Sequence, residues 1–238
     1  MSEVAGKMSV QIGAYYLQRT CRGRGILLGG VPGVQHGKVT ILGAGVVGIN
    51  AAKVASSLGA QVTIIDRNLE KLTYIDDLFG GRVTTLVSEP WNIEEAVLES
   101  HLVIGGVLVP GARAPVLVSK GIVKNMKEGA VIVDCSVDQG GCIETIRPTT
   151  HSNPTYTYEG VIHYGVTNMP SAFSRTSTFA LTSVTFPYAL KIAQMGIEEA
   201  LKRDKALARG ANVYKGRIVH PSVADSLGVE YIPLENLL

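Results

Sequence analysis

The sequence predicts an α/β protein built on a doubly wound parallel sheet, followed by a helical segment. Three observations lead to this prediction. From Lys38 onward, short runs rich in Val and Ile alternate with segments of helical period. These runs are apolar throughout, which is typical of parallel strands buried on both faces. A glycine-rich turn separates the first run from the first helical segment, and the alternation stops after Arg175.

Strands are predicted at the apolar runs and helices at the stretches between them. The predicted strands are residues 39–42, 62–65, 83–87, 102–104, 130–133 and 161–164. The predicted helices are residues 2–19, 46–57, 69–79, 93–99 and 114–124. Beyond Arg175 we expect one or two helices over residues 180–205, with Pro187 near a helix start or a kink, and then a polar tail.

The composition indicates a globular chain with its own core. Hydrophobic residues make up 46% and charged residues 18% of the chain, a balance that disordered segments lack. The net charge of +2 gives no electrostatic footprint for nucleic acid. The uncharged runs 39–52 and 176–190 are shorter than a membrane span, so we expect no membrane partner.

The three cysteines, Cys21, Cys135 and Cys142, lack metal-ligand spacing. This indicates reduced thiols of a cytoplasmic protein without a metal site.

The glycine-rich turn matches the dinucleotide-binding pattern G-x-G-x-x-G. Gly43, Gly45 and Gly48 follow a predicted strand and open a predicted helix. In this pattern the glycines permit a tight turn, a close approach to a pyrophosphate and close helix–strand packing. Asp66 ends the next strand, where a carboxylate accepts hydrogen bonds from the adenine ribose and repels a 2′-phosphate. The context predicts a Rossmann-type domain that prefers NAD to NADP. Arg67 could neutralise such a phosphate, but an exposed side chain at a helix start is the simpler interpretation.

Three more segments follow predicted strands, at the edge where open α/β sheets bind ligands. They are residues 105–110, 134–141 and 167–170, and each is a candidate to contact the nicotinamide half of the cofactor. Asp138 is the candidate catalytic group, because a carboxylate at this mouth can exchange protons or orient a base. The alternative for Asp138 is a role as a turn residue. Asp134 ends its strand and is expected to be structural.

Several motifs, in order along the chain, resemble bacterial alanine dehydrogenase. They lie at residues 1–6, 29–34, 43–48, 107–112, 138–141, 168–170 and 175–178. The resemblance runs through the whole chain, and the related proton-translocating transhydrogenase matches these strings less well. It implies an oxidoreductase acting on CH–NH2 donors that converts L-alanine to pyruvate and ammonia with NAD. It also implies a cytoplasmic homo-oligomer, which is a hexamer in the family.

The resemblance gives roles to individual residues. Asp138 matches the catalytic aspartate. Together with the motif and strand-end positions, the predicted cofactor-binding set is Ser2, Gly43, Gly45, Val46, Val47, Gly48, Asp66, Lys71, Ser88, Val107, Leu108, Cys135, Ser136, Val137, Asp138, Arg147, Val166, Thr167, Asn168 and Met169. Residues 1–174 are then the NAD-binding domain with its N-terminal helix. Residues 175–238 are the C-terminal part of the substrate domain.

The family pattern includes a further segment before the string that residues 1–6 match. That segment supplies an Arg and a Lys that hold the substrate carboxylate and a His that transfers protons, and none of these has a counterpart here. We therefore expect NAD binding, with poor or no alanine turnover from these residues alone. Two alternatives stay open: a non-catalytic NAD-binding subunit, and the cofactor-binding subunit of a transhydrogenase.

Overall fold

The structure, a computed structural model, describes residues 1–107 and 114–238. Its strands are β1 Lys38–Leu42, β2 Gln61–Asp66, β3 Val83–Val87, β4 Leu102–Gly105, β5 Val131–Asp134, β6 Thr155–Tyr158, β7 Val161–Tyr164, β8 Val213–Tyr214 and β9 Arg217–Ile218. Its helices are α1 Ser2–Tyr16, α2 Val46–Ser57, α3 Leu69–Phe79, α4 Pro90–Glu99, α5 Lys120–Lys124, α6 Ser174–Met195, α7 Ile197–Arg203, α8 Lys205–Arg209 and α9 Pro221–Leu227. Short 3₁₀ turns lie at Arg19–Cys21, Val137–Gln139, Met169–Phe173 and Leu234–Asn236.

The main sheet has the strand order β3-β2-β1-β4-β5-β7-β6. Its neighbouring strands pair in parallel, except for the antiparallel pair of β6 and β7. The chain moves outward from β1 to β3 and then returns to build the other half from β4. Open α/β sheets bind ligands at such a switch point, beyond the carboxyl ends of the strands. The predicted doubly wound α/β class is confirmed.

The strands are apolar on both faces because alternate side chains enter different helical layers. Ile41 and Ile64 belong to the core that includes buried residues of α1, α2 and α3. Leu42 and Ile65, the next residue along each strand, belong to the core that includes buried residues of α4 and α5. Burying each such side chain stabilises the fold by about 1.5–3 kcal/mol. The continuous Val/Ile runs therefore reflect two cores with the sheet between them.

The helix predicted over residues 114–124 is wrong in its first half. Only α5 is helical there. Pro115 has no N–H to donate to a helix, and the amides of Leu117 and Val118 donate to the carbonyl of Cys142 instead. The segment is therefore held against the loop after β5 rather than folded on itself.

Other differences lie at boundaries and in polar strands. Helix α1 ends at Tyr16 rather than Arg19, and α4 already begins at Pro90, a residue suited to the first helical position. The sequence pattern does not predict strand β6, because its Thr and Tyr side chains are partly buried or exposed and form no apolar run. It reaches β7 through Glu159 and Gly160, which both have positive φ, as tight hairpin turns require.

The contacts divide the chain into two units, Met1–Ser177 and Thr178–Leu238. The second unit has a small core around Leu201, Tyr214, Val219 and Leu234. Helix α6 begins earlier than predicted, and Pro187 lies in its interior rather than near its start. Among the described residues, no helix combines the length and the apolar character needed to cross a membrane.

Candidate nucleotide-binding and active site

A cleft of about 590 Å³ lies at the carboxyl ends of the parallel strands in the first unit. Residues that follow β1 to β5 and β7, together with the first residues of α1, line this cleft. The predicted site residues that it brings together are Ser2, Gly43, Gly45, Val46, Val47, Asp66, Lys71, Ser88, Val107, Cys135, Ser136, Asp138, Asn168 and Met169. They meet because parallel strands place their carboxyl ends at one edge of the sheet.

Some predicted residues lie elsewhere. Those outside the cleft lining are Gly48, Val137, Arg147, Val166 and Thr167. The guanidinium of Arg147 lies 4.1 Å from the ring centroid of Tyr156, and the Arg147 amide donates to the Tyr156 hydroxyl at 2.9 Å. Leu108 falls outside the described residues. The roles of these residues in cofactor binding remain predictions.

The sequence patterns do not predict several residues of the cleft wall. Ala5 on α1 and Pro115 and Leu117 before α5 all line it. Pro115 and Leu117 are not predicted as site residues because the sequence pattern places them in a helix over residues 114–124. Gln139 also lines the cleft, and the sequence predicts it only as part of the candidate segment 134–141.

The three motif glycines are required for different reasons. Gly43 has φ +100°, and a Cβ there would lie 2.8 Å from the carbonyl oxygen of Gly106. A Cβ on Gly48 would lie 1.8 Å from the carbonyl oxygen of Gly43, so α2 packs directly on the turn. A Cβ on Gly45 would meet no described atom within 4 Å. The described part of the chain therefore leaves room at Gly45, in the cleft wall, for a ligand to approach the backbone.

The start of α2 offers hydrogen-bond donors to this space. Gly45 is the N-cap residue of α2, and no side chain of residues 1–107 or 114–238 caps the helix. The first N–H groups of a helix have no intrahelical partner and carry the positive end of the helix dipole. Val46 and Val47, the first two residues of the helix, line the cleft. This arrangement suits an anion such as a phosphate.

Asp66 fixes the turn and faces the cleft. Its Oδ2 accepts a hydrogen bond from the Ala44 amide at 2.7 Å, and its Oδ1 accepts one from the Asn68 amide at 2.9 Å. Each carboxylate oxygen can accept a further hydrogen bond, and Asp66 is only partly buried. The exposed cations Arg67 and Lys71 line the same cleft. The carboxylate of Asp66 thus shares the cleft with two positive charges.

Asp138 lies across the cleft, in the 3₁₀ turn Val137–Gln139. The amide nitrogen of Asn168 lies 3.3 and 3.2 Å from its two carboxylate oxygens and donates to them. Asn168 has φ 47°, in the left-handed region that Asn tolerates better than most residues. The contact joins the loop after β5 to the loop after β7. It leaves an exposed, oriented carboxylate at the mouth of the cleft.

The thiols near the cleft are poor nucleophiles. Burial raises the pKa of the Cys135 thiol, and the neighbouring Asp134 adds to this effect. Burial likewise raises the pKa of Cys142 well above its usual value. Both thiols therefore stay protonated at neutral pH. Among residues 1–107 and 114–238, no group of His, Cys, Asp or Glu has an arrangement suited to a metal ion.

The strand order and the glycine turn define a Rossmann-type domain. Over residues 9–221 the chain matches the family described as "Alanine dehydrogenase/PNT, C-terminal domain". It is 56% identical to the alanine dehydrogenases of Staphylococcus haemolyticus and Bacillus subtilis, over 100% of this chain. The chain belongs to the alanine dehydrogenase/PNT family.

Two solved structures extend the comparison. One, named L-alanine dehydrogenase, is 56% identical, with a TM-score of 0.93 over 96% of this chain and 63% of that chain. The other, a transhydrogenase from Sinorhizobium meliloti, shares the fold with a TM-score of 0.75 at 24% identity. The chain spans 64% of the length of the Staphylococcus haemolyticus relative and 63% of that of the Bacillus subtilis relative.

Proposed function

We propose that the chain binds NAD(H) in the cleft of the first unit and forms the nucleotide-binding part of an L-alanine dehydrogenase. The reaction is the oxidative deamination of L-alanine to pyruvate and ammonia. One observation carries the proposal: the uncapped start of α2, the open space at Gly45 and the Asp66 carboxylate all face the same cleft. The relatives named alanine dehydrogenase, 56% identical, support the choice of substrate.

The cleft residues fit the parts of a dinucleotide. The amides at the start of α2 would hold the pyrophosphate, and a side chain at Gly45 would block it. Asp66 would accept hydrogen bonds from the adenine ribose, and its charge would repel a 2′-phosphate. Arg67 and Lys71 lie close enough to line the same cleft and would add attraction for phosphates. When bound, NAD supplies the acceptor for the hydride of the substrate.

Asp138 has the proton-handling role in this proposal. It is exposed, so it can exchange protons with solvent or with an amino-acid substrate. The hydrogen bond from the Asn168 amide fixes the direction in which its carboxylate points. We also propose, from the same family assignment, that the protein is a cytoplasmic homo-oligomer.

Two assays test the proposal separately. Fluorescence titration of the chain with NADH and NADPH should show clearly tighter NADH binding, because Asp66 repels the extra phosphate. Equal affinities would contradict the NAD assignment.

Alanine-dependent NADH formation, measured on the protein as its gene encodes it, tests the reaction. Asp138→Asn should cut turnover and leave the melting temperature nearly unchanged. Intact turnover in that variant would reduce Asp138 to a turn residue.

A further inference from the structure

A second aspartate ends a strand beside the cleft without lining it. Asp134, the last residue of β5, is 1% exposed. Its Oδ1 accepts a hydrogen bond from the Ser136 amide, and its Oδ2 accepts one from the Cys142 amide, both at 2.8 Å. Ser136 and Cys142 lie near the two ends of the loop 135–142. One buried carboxylate therefore closes this loop.

The loop that Asp134 closes carries the far wall of the cleft. Its residues Cys135, Ser136, Asp138 and Gln139 line the cleft. After its 3₁₀ turn the chain reverses through two glycines in the left-handed region, with φ 94° and 74°. The position of Asp138 therefore depends on how the two ends of the loop are held.

The surroundings of Asp134 are fitted to its carboxylate. A Cβ on Gly105 would lie 2.8 Å from Oδ1, and a Cβ on Gly141 would lie 2.9 Å from Oδ2. The two donors at 2.8 Å are the backbone amides of Ser136 and Cys142, whose positions are set by the chain itself. Such contacts fix geometry, because moving the carboxylate would move the loop backbone with it.

We propose that Asp134 is a positioning residue that holds the loop 135–142, and with it Asp138, in place against the cofactor cleft. The inference rests on the proposed NAD(H) binding. Substitution of Asp134 should disturb only the loop after β5. The glycine turn follows β1 and Asp66 ends β2, so both lie on other strands of the sheet. A disturbed loop should weaken contacts to the nicotinamide half of the dinucleotide and spare the adenosine diphosphate half.

The variant Asp134→Asn tests this directly, because it keeps the shape of the side chain and replaces one acceptor oxygen with a donor amide. Titration with NADH and with ADP-ribose separates the two halves of the cofactor. We expect the displaced loop to lose about one hydrogen bond to the nicotinamide half, so NADH affinity should fall roughly five- to tenfold, while ADP-ribose affinity stays nearly unchanged. The matched control is Ser100→Ala. Ser100 is also buried, and it bonds the hydroxyl of Thr40, in the middle of β1, and the carbonyl of Ala96 on α4, outside the cleft lining. Its loss should lower stability without changing the ratio of the two affinities.

The outcomes are distinct. An unchanged NADH affinity in Asp134→Asn, or an equal loss for both ligands, would overturn the positioning role. Failure of the unsubstituted chain to bind ADP-ribose would instead overturn the proposed function. If Asp134→Asn does not fold, amide hydrogen exchange on the unsubstituted chain decides. The Ser136 and Cys142 amides should be protected without ligand, and exchange as fast as that of the exposed loop amides would contradict the proposal.

Discussion

Asp66 and Asp134 occupy equivalent places on two strands and have different surroundings. Each ends a parallel strand, and each accepts a hydrogen bond from the amide two residues later, at 2.9 Å for Asp66 and 2.8 Å for Asp134. Each second oxygen accepts an amide from a more distant residue, Ala44 for Asp66 and Cys142 for Asp134. Asp66 nevertheless lines the cleft, whereas Asp134 is buried behind its wall.

The difference comes from the chain that follows each strand. After β2 the chain enters α3 almost at once, with Asn68 as the N-cap, and the Asp66 carboxylate stays open on one side. After β5 an eight-residue loop folds back over Asp134 and closes on it. The same residue type at the same strand position thus lines the cleft in one case and bonds the two ends of a loop in the other. The length of the next connection decides which role it takes.

The largest expected difference between the two aspartates is in stability. Asp134→Ala leaves two buried amides without their acceptor, so the free energy of unfolding should fall by about 2–4 kcal/mol. Asp66→Ala should cost well under that, because water can reach the amides around a partly exposed side chain. Urea denaturation of both variants measures the difference. Equal losses would mean that burial does not separate the two sites.

Ligand affinity should show the reverse order. Asp66→Ala should weaken NADH binding by about 1.5–3 kcal/mol, the range for hydrogen bonds to a charged group, and should reduce the preference over NADPH. The control is Asp77→Ala, on the exposed side of α3 and outside the cleft lining. Isothermal titration calorimetry checks both variants. An unchanged affinity in Asp66→Ala would remove Asp66 from the site.

The β5 side of the sheet should also respond to alkaline pH. Burial, with smaller effects of Tyr16 and Cys135, raises the pKa of Tyr164 from 10.0 to about 12. As the pH rises, the Tyr164 hydroxyl therefore loses its proton in the unfolded chain before it does so in the folded chain. The free energy of unfolding should fall as the pH rises from 10 towards 12. The loss should be on the order of 2 kcal/mol. Denaturation across this pH range checks it, and Tyr164→Phe should flatten that part of the profile. A profile unaffected by Tyr164→Phe would contradict the assignment.

The smallest effect on the fold is expected at Gly45. Gly45→Ala should change stability by less than about 0.5 kcal/mol, because the added Cβ meets no described atom within 4 Å. It should still weaken NADH binding, since the methyl group occupies the space proposed for the pyrophosphate. Gly48→Ala is the contrasting variant, because its Cβ would lie 1.8 Å from the Gly43 carbonyl oxygen and should destabilise the fold. Thermal unfolding and NADH titration of both variants distinguish a ligand contact from a packing contact.

Much of the sheet and of the β2 side of the cleft follows from local sequence patterns. Apolar runs predict strands because both faces are buried, and the glycine pattern with Asp66 predicts its own geometry. Local sequence patterns do not predict structure that depends on contacts between residues far apart in the sequence. The Cys142 carbonyl binds the amides of Leu117 and Val118 and so prevents the expected helix. Half-buried, polar β6 gives no apolar signal. The closing of the loop by Asp134 and the stacking of Arg147 on Tyr156 likewise depend on the folded chain.

An NMR titration of the unsubstituted chain with NADH tests the central claim, NAD(H) binding in the cleft of Met1–Ser177, most directly. Binding in the cleft predicts saturable shifts of the amides of Val46, Val47, Asp66 and Ser136, which line both walls. NADPH at the same concentration should shift them far less. No saturable shifts at these amides, or shifts concentrated in Thr178–Leu238, would contradict the claim.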